Sequence, residues 1–500
     1  MMQNLIAAVD LGSNSFRLQV GRIVNDQIYP LDGLKEAVRL AAGLSPEKLL
    51  DEAAQLRGID ALQRFAERLH DFPAHAVRAV ATDTLRVARN ADEFLQRAEK
   101  ALGFPIEVIA GREEARLIYV GVAHSLADPH RQHLVVDIGG GSTEFVIGKS
   151  FKPLLLDSRY LGCVGYSLRF FPDGRIDRQR LKQAEVDARR QLQGIVGQYR
   201  DLGWEEALGS SGSVKALADI LELNGFTRSG ITREGLERLK DELLRAGSLD
   251  ALELQGVKGD RQPVMLGGFV IMRAVFEEFG LERMQYADGA LRLGVLYDLL
   301  GRYHHEDLRD ATVNAFIRRY NVDLRQAGQV SATACELLAQ VAPELHVEQR
   351  VDERFLRWAG LLHEIGITIA HSSYHKHSAY IVTNADMPGF SRMDQARLAR
   401  LLLAQRGKLE RLSGIDENSV DWILIACLRL AVVLHRARDE RGLPPLSLQR
   451  EGRGFSLNAP PGWLQKLPLT AAALDEEQRQ WKALGRALFI RSPDEATLGS

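Results

Sequence analysis

Two short turns in the chain combine a carboxylate with glycine and small hydroxyl residues. Asp10 ends an apolar run and opens the turn DLGSNSF, and Asp137 does the same in DIGGGSTEF. Successive backbone N–H groups in such turns can surround a phosphate, because glycine lets the backbone come close. Either turn alone is more typical of an ordinary hairpin. Two of them at matching places predict phosphate binding.

The carboxylates beside these turns indicate a divalent cation. A carboxylate next to a phosphate is repelled unless a cation lies between them. Mg²⁺ prefers oxygen ligands and keeps several of its waters. Asp10, Asp137 and Glu144 are therefore candidate magnesium ligands, directly or through water.

Two further segments carry residues suited to phosphate chemistry. A third glycine-rich turn at 208–213 precedes a predicted helix, and the segment GREEAR at 111–116 places Glu113 and Glu114 at the start of another. Acids in a first helical turn commonly just complement the helix dipole. The alternative is that one of them orients an attacking water, since hydrolysis of a phosphoric anhydride needs positioning and one carboxylate base.

The elements that must position these turns occur twice. Strand, turn and strand at 5–24 are repeated from 134 onward, and each copy is followed by helical patterns. This predicts two similar α/β halves. Residues 301–440 carry long amphipathic helical patterns, and 441–500 contain prolines and short apolar alternations. We therefore predict α/β domains at 1–125 and 126–300, a helical domain at 301–440 and a small α+β domain at 441–500.

Composition excludes several classes of partner. The 500 residues carry a net charge of -2, which gives no overall attraction to nucleic acid or anionic membrane. The three cysteines are widely spaced, and no signal peptide is evident, so a cytoplasmic location is expected. The apolar runs at 264–276 and 422–434 are interrupted by arginine and are shorter than the roughly 20 residues of a membrane span.

Five motifs together resemble the exopolyphosphatase / guanosine pentaphosphate phosphohydrolase family. They are AAVDLGSNSFRL, AGREEARLIYVGVAH, VVDIGGGSTEFVIG, LGSSGSVKA and DGALRLGVLYDLL. The resemblance runs nearly the full length and implies two duplicated actin-like (ribonuclease H-like) α/β domains around a phosphate cleft. It also implies a helical domain related to HD proteins, and a homodimer. Leu293 stands where an acid is expected.

The resemblance also implies roles for individual residues. Glu114 would be the catalytic base, Asp137 and Glu144 would hold Mg²⁺ with the help of Asp10, and Arg86 would clamp a phosphoryl oxygen. The expected phosphate-binding residues of the three turns are Ser13, Asn14, Ser15, Gly139, Gly140, Gly141, Ser142, Ser211, Gly212 and Ser213.

Two phosphohydrolase activities fit these motifs. We expect an exopolyphosphatase, because the third glycine of the second turn, Gly141, is more typical of that branch. The alternative is cleavage of the 5′ γ-phosphate of guanosine pentaphosphate. A sugar kinase or an actin-like ATPase is a remote alternative, and Glu114 argues against the kinase.

One motif of the helical region stands apart from this chemistry. His363 and Glu364 resemble the His-Asp pair that ligates metal in HD phosphohydrolases, but glutamate replaces the aspartate and the full set of partner ligands is not found in the sequence. A structural remnant is the favoured interpretation. A polyphosphate contact and a working metal site are the alternatives.

Overall fold

A computed structural model describes residues 5–24, 27–257, 261–303, 307–343, 351–412, 415–438 and 442–492. The chain forms two compact units, Met1–Asp307 and Leu308–Ser500. We call these the N-terminal unit and the C-terminal unit. The finer division into four domains stays a prediction.

The first half of the N-terminal unit is built on a five-stranded sheet with the order β3-β2-β1-β4-β5. The strands β1, β2 and β3 are antiparallel neighbours, and β4 and β5 run parallel to β1. The strands are β1 (Leu5–Leu11), β2 (Phe16–Val24), β3 (Gln27–Glu36), β4 (Val77–Ala81) and β5 (Ile106–Val108). The helices are α1 (Glu52–Leu69), α2 (Asp83–Val87), α3 (Ala91–Leu102) and α4 (Gly111–Ala123).

The second half contains a six-stranded sheet with the order β10-β11-β9-β6-β7-β8. Here β6, β7 and β8 are antiparallel neighbours, and β9 and β11 run parallel to β6. The strands are β6 (His133–Ile138), β7 (Thr143–Lys149), β8 (Lys152–Arg159), β9 (Glu206–Ser210), β10 (Ile231–Thr232) and β11 (Arg283–Tyr286). The helices are α5 (Cys163–Phe170), α6 (Arg178–Leu202), α7 (Ser211–Leu223), α8 (Arg233–Ala246), α9 (Gln262–Phe279) and α10 (Leu291–Tyr303).

The two sheets share one topology. The series β8-β7-β6-β9-β11 repeats the order and the directions of β3-β2-β1-β4-β5, with β10 added at the edge. In both sheets the central strand carries an aspartate one residue before its end, Asp10 in β1 and Asp137 in β6. The predicted duplication is confirmed, and it brings equivalent turns to equivalent positions.

Helices α4 and α10 pack against each other between the two sheets. Their buried side chains form one apolar cluster with residues of β1 and β6, such as Ala8 and Val135. Asp298 of α10 forms ion pairs with Arg78 of β4 at 2.8 Å and with Arg116 of α4 at 2.5 Å. These contacts fix the position of α4.

The C-terminal unit is mainly helical, and a small three-stranded sheet of order β12-β13-β14 shares its hydrophobic core. The helices are α11 (Leu308–Arg319), α12 (Leu324–Val341), α13 (Val351–Leu362), α14 (Tyr374–Asn384), α15 (Arg392–Ala404), α16 (Asp421–Leu434) and α17 (Pro468–Ala483). The strands are β12 (Ser447–Glu451), β13 (Gly454–Asn458) and β14 (Leu488–Arg491). None of the helices in the described ranges is both long and apolar enough to cross a membrane.

Because α4 packs closely on α10, one methyl group added at their contact should destabilise the fold. A Cβ at Gly294 would lie 1.8 Å from the carbonyl oxygen of Leu117, so Gly294→Ala must push the helices apart. We expect a loss of about 1–3 kcal/mol in the free energy of unfolding, measured by urea denaturation.

Gly194→Ala is the control, because its Cβ would meet no atom within 4 Å. Helix propensity should make that variant more stable by about 0.5–1 kcal/mol. Equal stability of the two variants would contradict the packing argument.

Candidate active site

A cavity of about 290 Å³ in the N-terminal unit is lined by the turns that follow β1, β6 and β9. It brings together most of the residues that the sequence predicted. Those that line it are Asp10, Ser13, Asn14, Ser15, Glu114, Asp137, Gly139, Gly140, Gly141, Ser142, Ser211, Gly212 and Ser213. Arg86 and Glu144 are not among the lining residues.

The first two turns face each other at close range. A Cβ at Gly140 would lie 2.9 Å from the Cβ of Ser13 and 3.3 Å from the backbone nitrogen of Asn14. A Cβ at Gly141 would lie 2.0 Å from Oδ2 of Asp83, so this position accepts only glycine without a rearrangement. Backbone N–H groups from both halves of the unit therefore border one small space, as phosphate binding requires.

Asp10 and Asp137 place two carboxylates in this space. Oδ1 of Asp10 is buried and has no hydrogen-bond partner among the described residues. Burial raises the pKa of both side chains to about 6, and the charge of Asp10 contributes to the shift at Asp137. Arg292 and Arg17 oppose the shift at Asp10.

An unpaired buried carboxylate oxygen suits a cation. Within the described ranges no group of three or more His, Cys, Asp or Glu side chains is arranged to hold a metal ion. Magnesium does not need such a group, because one or two carboxylates, waters and substrate phosphate oxygens can complete its shell. Asp10 and Asp137 thus fit a magnesium ion that binds together with a phosphate.

Glu114 lies in the first turn of α4, and its side chain is almost fully buried. Nη1 of Arg86 donates to its Oε2 at 3.1 Å, and Nη2 of Arg86 donates to Oδ1 of Asp83 at 3.2 Å. Burial raises the pKa of Glu114 to about 7, although Arg86 opposes the shift. A carboxyl group with a pKa near 7 can take up a proton at neutral pH.

The neighbouring acid, Glu113, has a different environment. It accepts two hydrogen bonds from Arg116, at 2.7 and 2.8 Å, and Arg116 also contacts Asp298. Glu113 therefore belongs to the ion-pair network that joins α4 to α10. Of the two acids, only Glu114 lines the cavity.

Arg86 and Glu144 support the wall of the cavity from behind. The guanidinium of Arg86 is committed to Asp83, Glu114 and the carbonyl oxygen of Ile109. Glu144 lies opposite Asp137 in the β6–β7 pair and accepts a hydrogen bond from Ser158 at 2.8 Å. Burial, followed by the charges of Glu114 and Asp137, raises its pKa well above the usual range. Neither side chain reaches the cavity surface in this arrangement, so their predicted contacts with phosphate and metal stay predictions.

Four cationic residues that were not predicted from the sequence also line the cavity. They are Arg17, Lys215, Arg261 and Arg292. Arg17 lies opposite Asp10 in the β1–β2 pair. The Nζ atom of Lys215 lies 4.8 Å from the ring centroid of Tyr286, which also lines the cavity. Three of these cations stand inside the quoted motifs FRL, SVKA and DGALRLG, so the signal was present. Arg261 lies in no motif, and only the fold brings it to the third turn.

Comparison with known families agrees with this geometry. The model of the Ppx/GppA phosphatase family matches residues 19–303, and the model of its domain III matches residues 308–478. The chain belongs to the Ppx/GppA phosphatase family. The expected family, and with it the duplicated α/β fold with a helical C-terminal region, is confirmed.

Two relatives in the Ppx/GppA family match the chain over almost its whole length. Both are named guanosine-5′-triphosphate,3′-diphosphate pyrophosphatase. The protein of Aeromonas hydrophila is 41% identical over 485 residues, which cover 96% of this chain and 97% of that one. The protein of Aeromonas salmonicida is 40% identical, with the same coverage.

Solved structures of Ppx/GppA proteins share the fold of the larger part of the chain. An exopolyphosphatase from Cytophaga hutchinsonii has a TM-score of 0.55 and 25% identity, and the match covers 60% of this chain and 98% of that one. The family member from Aquifex aeolicus has a TM-score of 0.52 and 27% identity, with 60% and 99% covered.

The raised pKa of Asp10 predicts a pH-dependent gain in stability on its replacement. The pKa is about 6 in the folded protein against an ordinary 3.8, so ionisation of Asp10 disfavours folding. This cost grows between about pH 4 and pH 6 and is constant above. Without metal, in EDTA, Asp10→Asn should raise the free energy of unfolding at pH 8 by on the order of 1–3 kcal/mol, and by much less at pH 4.

Urea denaturation across this pH range measures the effect. Asp60→Asn, at an exposed position of α1, is the matched control and should change stability little at any pH. A gain for Asp10→Asn that does not vary with pH would contradict the assignment.

Proposed function

We propose that the chain hydrolyses guanosine 5′-triphosphate 3′-diphosphate at its terminal 5′ phosphoryl group. The products would be guanosine 5′-diphosphate 3′-diphosphate and inorganic phosphate. The observation that carries this proposal is the pair of relatives with that substrate in their name, 41% and 40% identical over 96% of the chain. The sequence motifs fit this activity as the alternative to exopolyphosphatase.

Exopolyphosphatase activity, the first expectation, is the second candidate. The expectation of this activity rested on Gly141. Because Asp83 lies so close, the packing requires glycine at this position whichever substrate is bound. Gly141 therefore does not discriminate between the two substrates. The structural likeness to the Cytophaga hutchinsonii exopolyphosphatase, at 25% identity, keeps polyphosphate as a candidate.

The proposed reaction is the attack of water on the terminal phosphorus atom. Glu114 accepts a proton from this water, the new P–O bond forms, and the bond from phosphorus to the bridging oxygen breaks. The electron pair of that bond leaves with the shortened 5′ diphosphate. A magnesium ion bound at Asp10 and Asp137 would neutralise charge on the phosphates.

The remaining lining residues hold the polyanion in place. Backbone N–H groups of the glycine turns and the hydroxyls of Ser13, Ser142 and Ser213 can donate to phosphate oxygens. Arg17, Lys215, Arg261 and Arg292 add positive charge where the phosphates would lie. Such preorganised donors stabilise charge that develops in phosphoryl transfer.

The test of the substrate is a direct comparison. Phosphate release in the presence of magnesium is measured with guanosine 5′-triphosphate 3′-diphosphate and with long-chain polyphosphate, at matched concentrations. We expect kcat/KM for the nucleotide to be the larger. A larger value for polyphosphate would transfer the assignment to the second candidate. If neither substrate releases phosphate, both candidate functions are contradicted.

The two neighbouring acids of α4 give a matched pair for testing the base. Glu114→Gln should lower kcat about 10²–10⁴-fold, the usual contribution of a general base, while substrate binding is retained. Glu113→Gln breaks an ion pair with Arg116 and should mainly lower thermal stability. Steady-state kinetics and thermal unfolding of both variants measure this. Full turnover by Glu114→Gln would remove Glu114 from the role of base.

A further inference from the structure

A second cavity, of about 530 Å³, lies within the C-terminal unit. It is built around the His363–Glu364 motif, which the proposed function does not use. Its lining comes from α12, α14, α16, α17 and the segments that follow α13, α15 and α16. The volume falls in the range of small-molecule sites.

Three side chains that line this cavity carry buried hydrogen-bond acceptors. Nε2 of His363, Oε1 of Gln326 and Oε1 of Gln405 are all buried, and each lacks a hydrogen-bond partner among the described residues. The three side chains are between 1% and 4% exposed. A buried polar atom without a partner is costly, so three at one cavity point to a ligand that donates hydrogen bonds.

Contacts on the far side of each group fix these atoms as acceptors. Nδ1 of His363 lies 2.7 Å from the carbonyl oxygen of Gly360, so it carries the proton and leaves Nε2 with a lone pair. Nε2 of Gln326 donates to the carbonyl oxygen of His435 at 3.0 Å. Nε2 of Gln405 donates to the carbonyl oxygen of His363 at 2.7 Å. Both amide oxygens are therefore directed away from these partners.

The rim of the same cavity carries exposed positive charge. Arg406, Lys408 and Arg436 line it, and no ion pair joins any of them to a carboxylate in the part of the chain that the structure describes. Two further cations are neutralised, Arg429 by Glu477 at 2.7 Å and Arg438 by Glu364.

A buried side chain holds the cationic segment in place. Arg429 donates to the carbonyl oxygen of Ala404 at 2.6 Å and to that of Gly407 at 3.1 Å. Gly407 has a φ of 87°, in the left-handed region. These contacts fix the turn that carries Arg406 and Lys408, so the two cations are held at the cavity mouth.

A metal site is not the role that these residues suit. Glu364 is committed to Arg438, and its Oε1 lies 3.8 Å from Nε2 of His363. No cluster of three metal-binding side chains exists in the described ranges. Acceptors inside and cations at the rim instead suit a ligand with a donor-bearing body and an anionic end.

We propose that this cavity binds a phosphate ester whose body carries hydroxyl or N–H donors, that is, a nucleotide or a sugar phosphate. The body donates to His363, Gln326 and Gln405, and the phosphate lies against Arg406, Lys408 and Arg436. Inorganic phosphates carry too few P–OH donors at neutral pH to pair with all three acceptors. The site is separate from the cavity of the N-terminal unit and does not depend on the function proposed for it.

Isothermal titration of the full chain in EDTA tests the proposal, with GDP, ribose 5-phosphate and pyrophosphate as probes. The double variant Lys408→Ala/Arg436→Ala removes two rim cations. Arg450→Ala is the control, because Arg450 is exposed in the same unit and does not line the cavity. We expect the double variant to lose binding of GDP or ribose 5-phosphate at least about tenfold, and the control to keep it. Phosphate release by the N-terminal unit should be unchanged in both.

The two organic probes separate the possible ligands. Tight binding of GDP alone indicates a nucleotide, and equal binding of ribose 5-phosphate indicates a sugar phosphate. Gln326→Met should weaken the organic probes and leave pyrophosphate unaffected, with thermal unfolding as the check on its fold. The proposal is overturned if the double variant binds all probes like the control, or if pyrophosphate binds as tightly as the organic probes.

Discussion

Crowding of carboxylates at the ends of two central strands is the constraint on which the N-terminal unit depends. Asp10, Asp137, Glu114 and Glu144 are brought into a small volume where burial raises the pKa of each. Such an arrangement disfavours folding at neutral pH unless cations compensate. Arginine side chains supply part of the compensation, and a metal ion with phosphate would supply more. The strain of the site and its capacity to bind phosphate have the same origin.

Packed secondary-structure elements hold these carboxylates close together. The duplicated topology places Asp10 and Asp137 at equivalent strand ends, and the packed pair α4 and α10 carries Glu114 to the same cavity. The ion pairs of Asp298 with Arg78 and Arg116 join α10 to β4 and to α4. The two neighbouring acids of α4 are thus separated in space: Glu113 faces the ion-pair network and Glu114 faces the cavity.

The cavity of the C-terminal unit follows a different electrostatic plan. Its acids are neutralised by arginine, its interior presents uncharged acceptors, and its unpaired charge is positive and exposed. The N-terminal cavity instead combines buried negative charge with cations, which suits metal and phosphate together. The two sites therefore differ in the kind of ligand that each would accept, although both would bind a phosphate group.

The family, the duplicated α/β architecture and most of the cavity lining could be predicted from the sequence, because glycine turns and strand-end aspartates are local patterns. The sequence could not show that Arg86 and Glu144 lie behind the wall, that Glu113 serves the α4–α10 network, or that Arg261 reaches the third turn. Those outcomes depend on which distant segments pack together, as Asp298 of α10 does with Arg116 of α4. The acceptors around His363 were equally hidden, because Gln405 bonds the histidine, and Gln326 joins the same cavity, only across packed helices. Burial and pairing depend on neighbours in space, so these points could be read only from the folded chain.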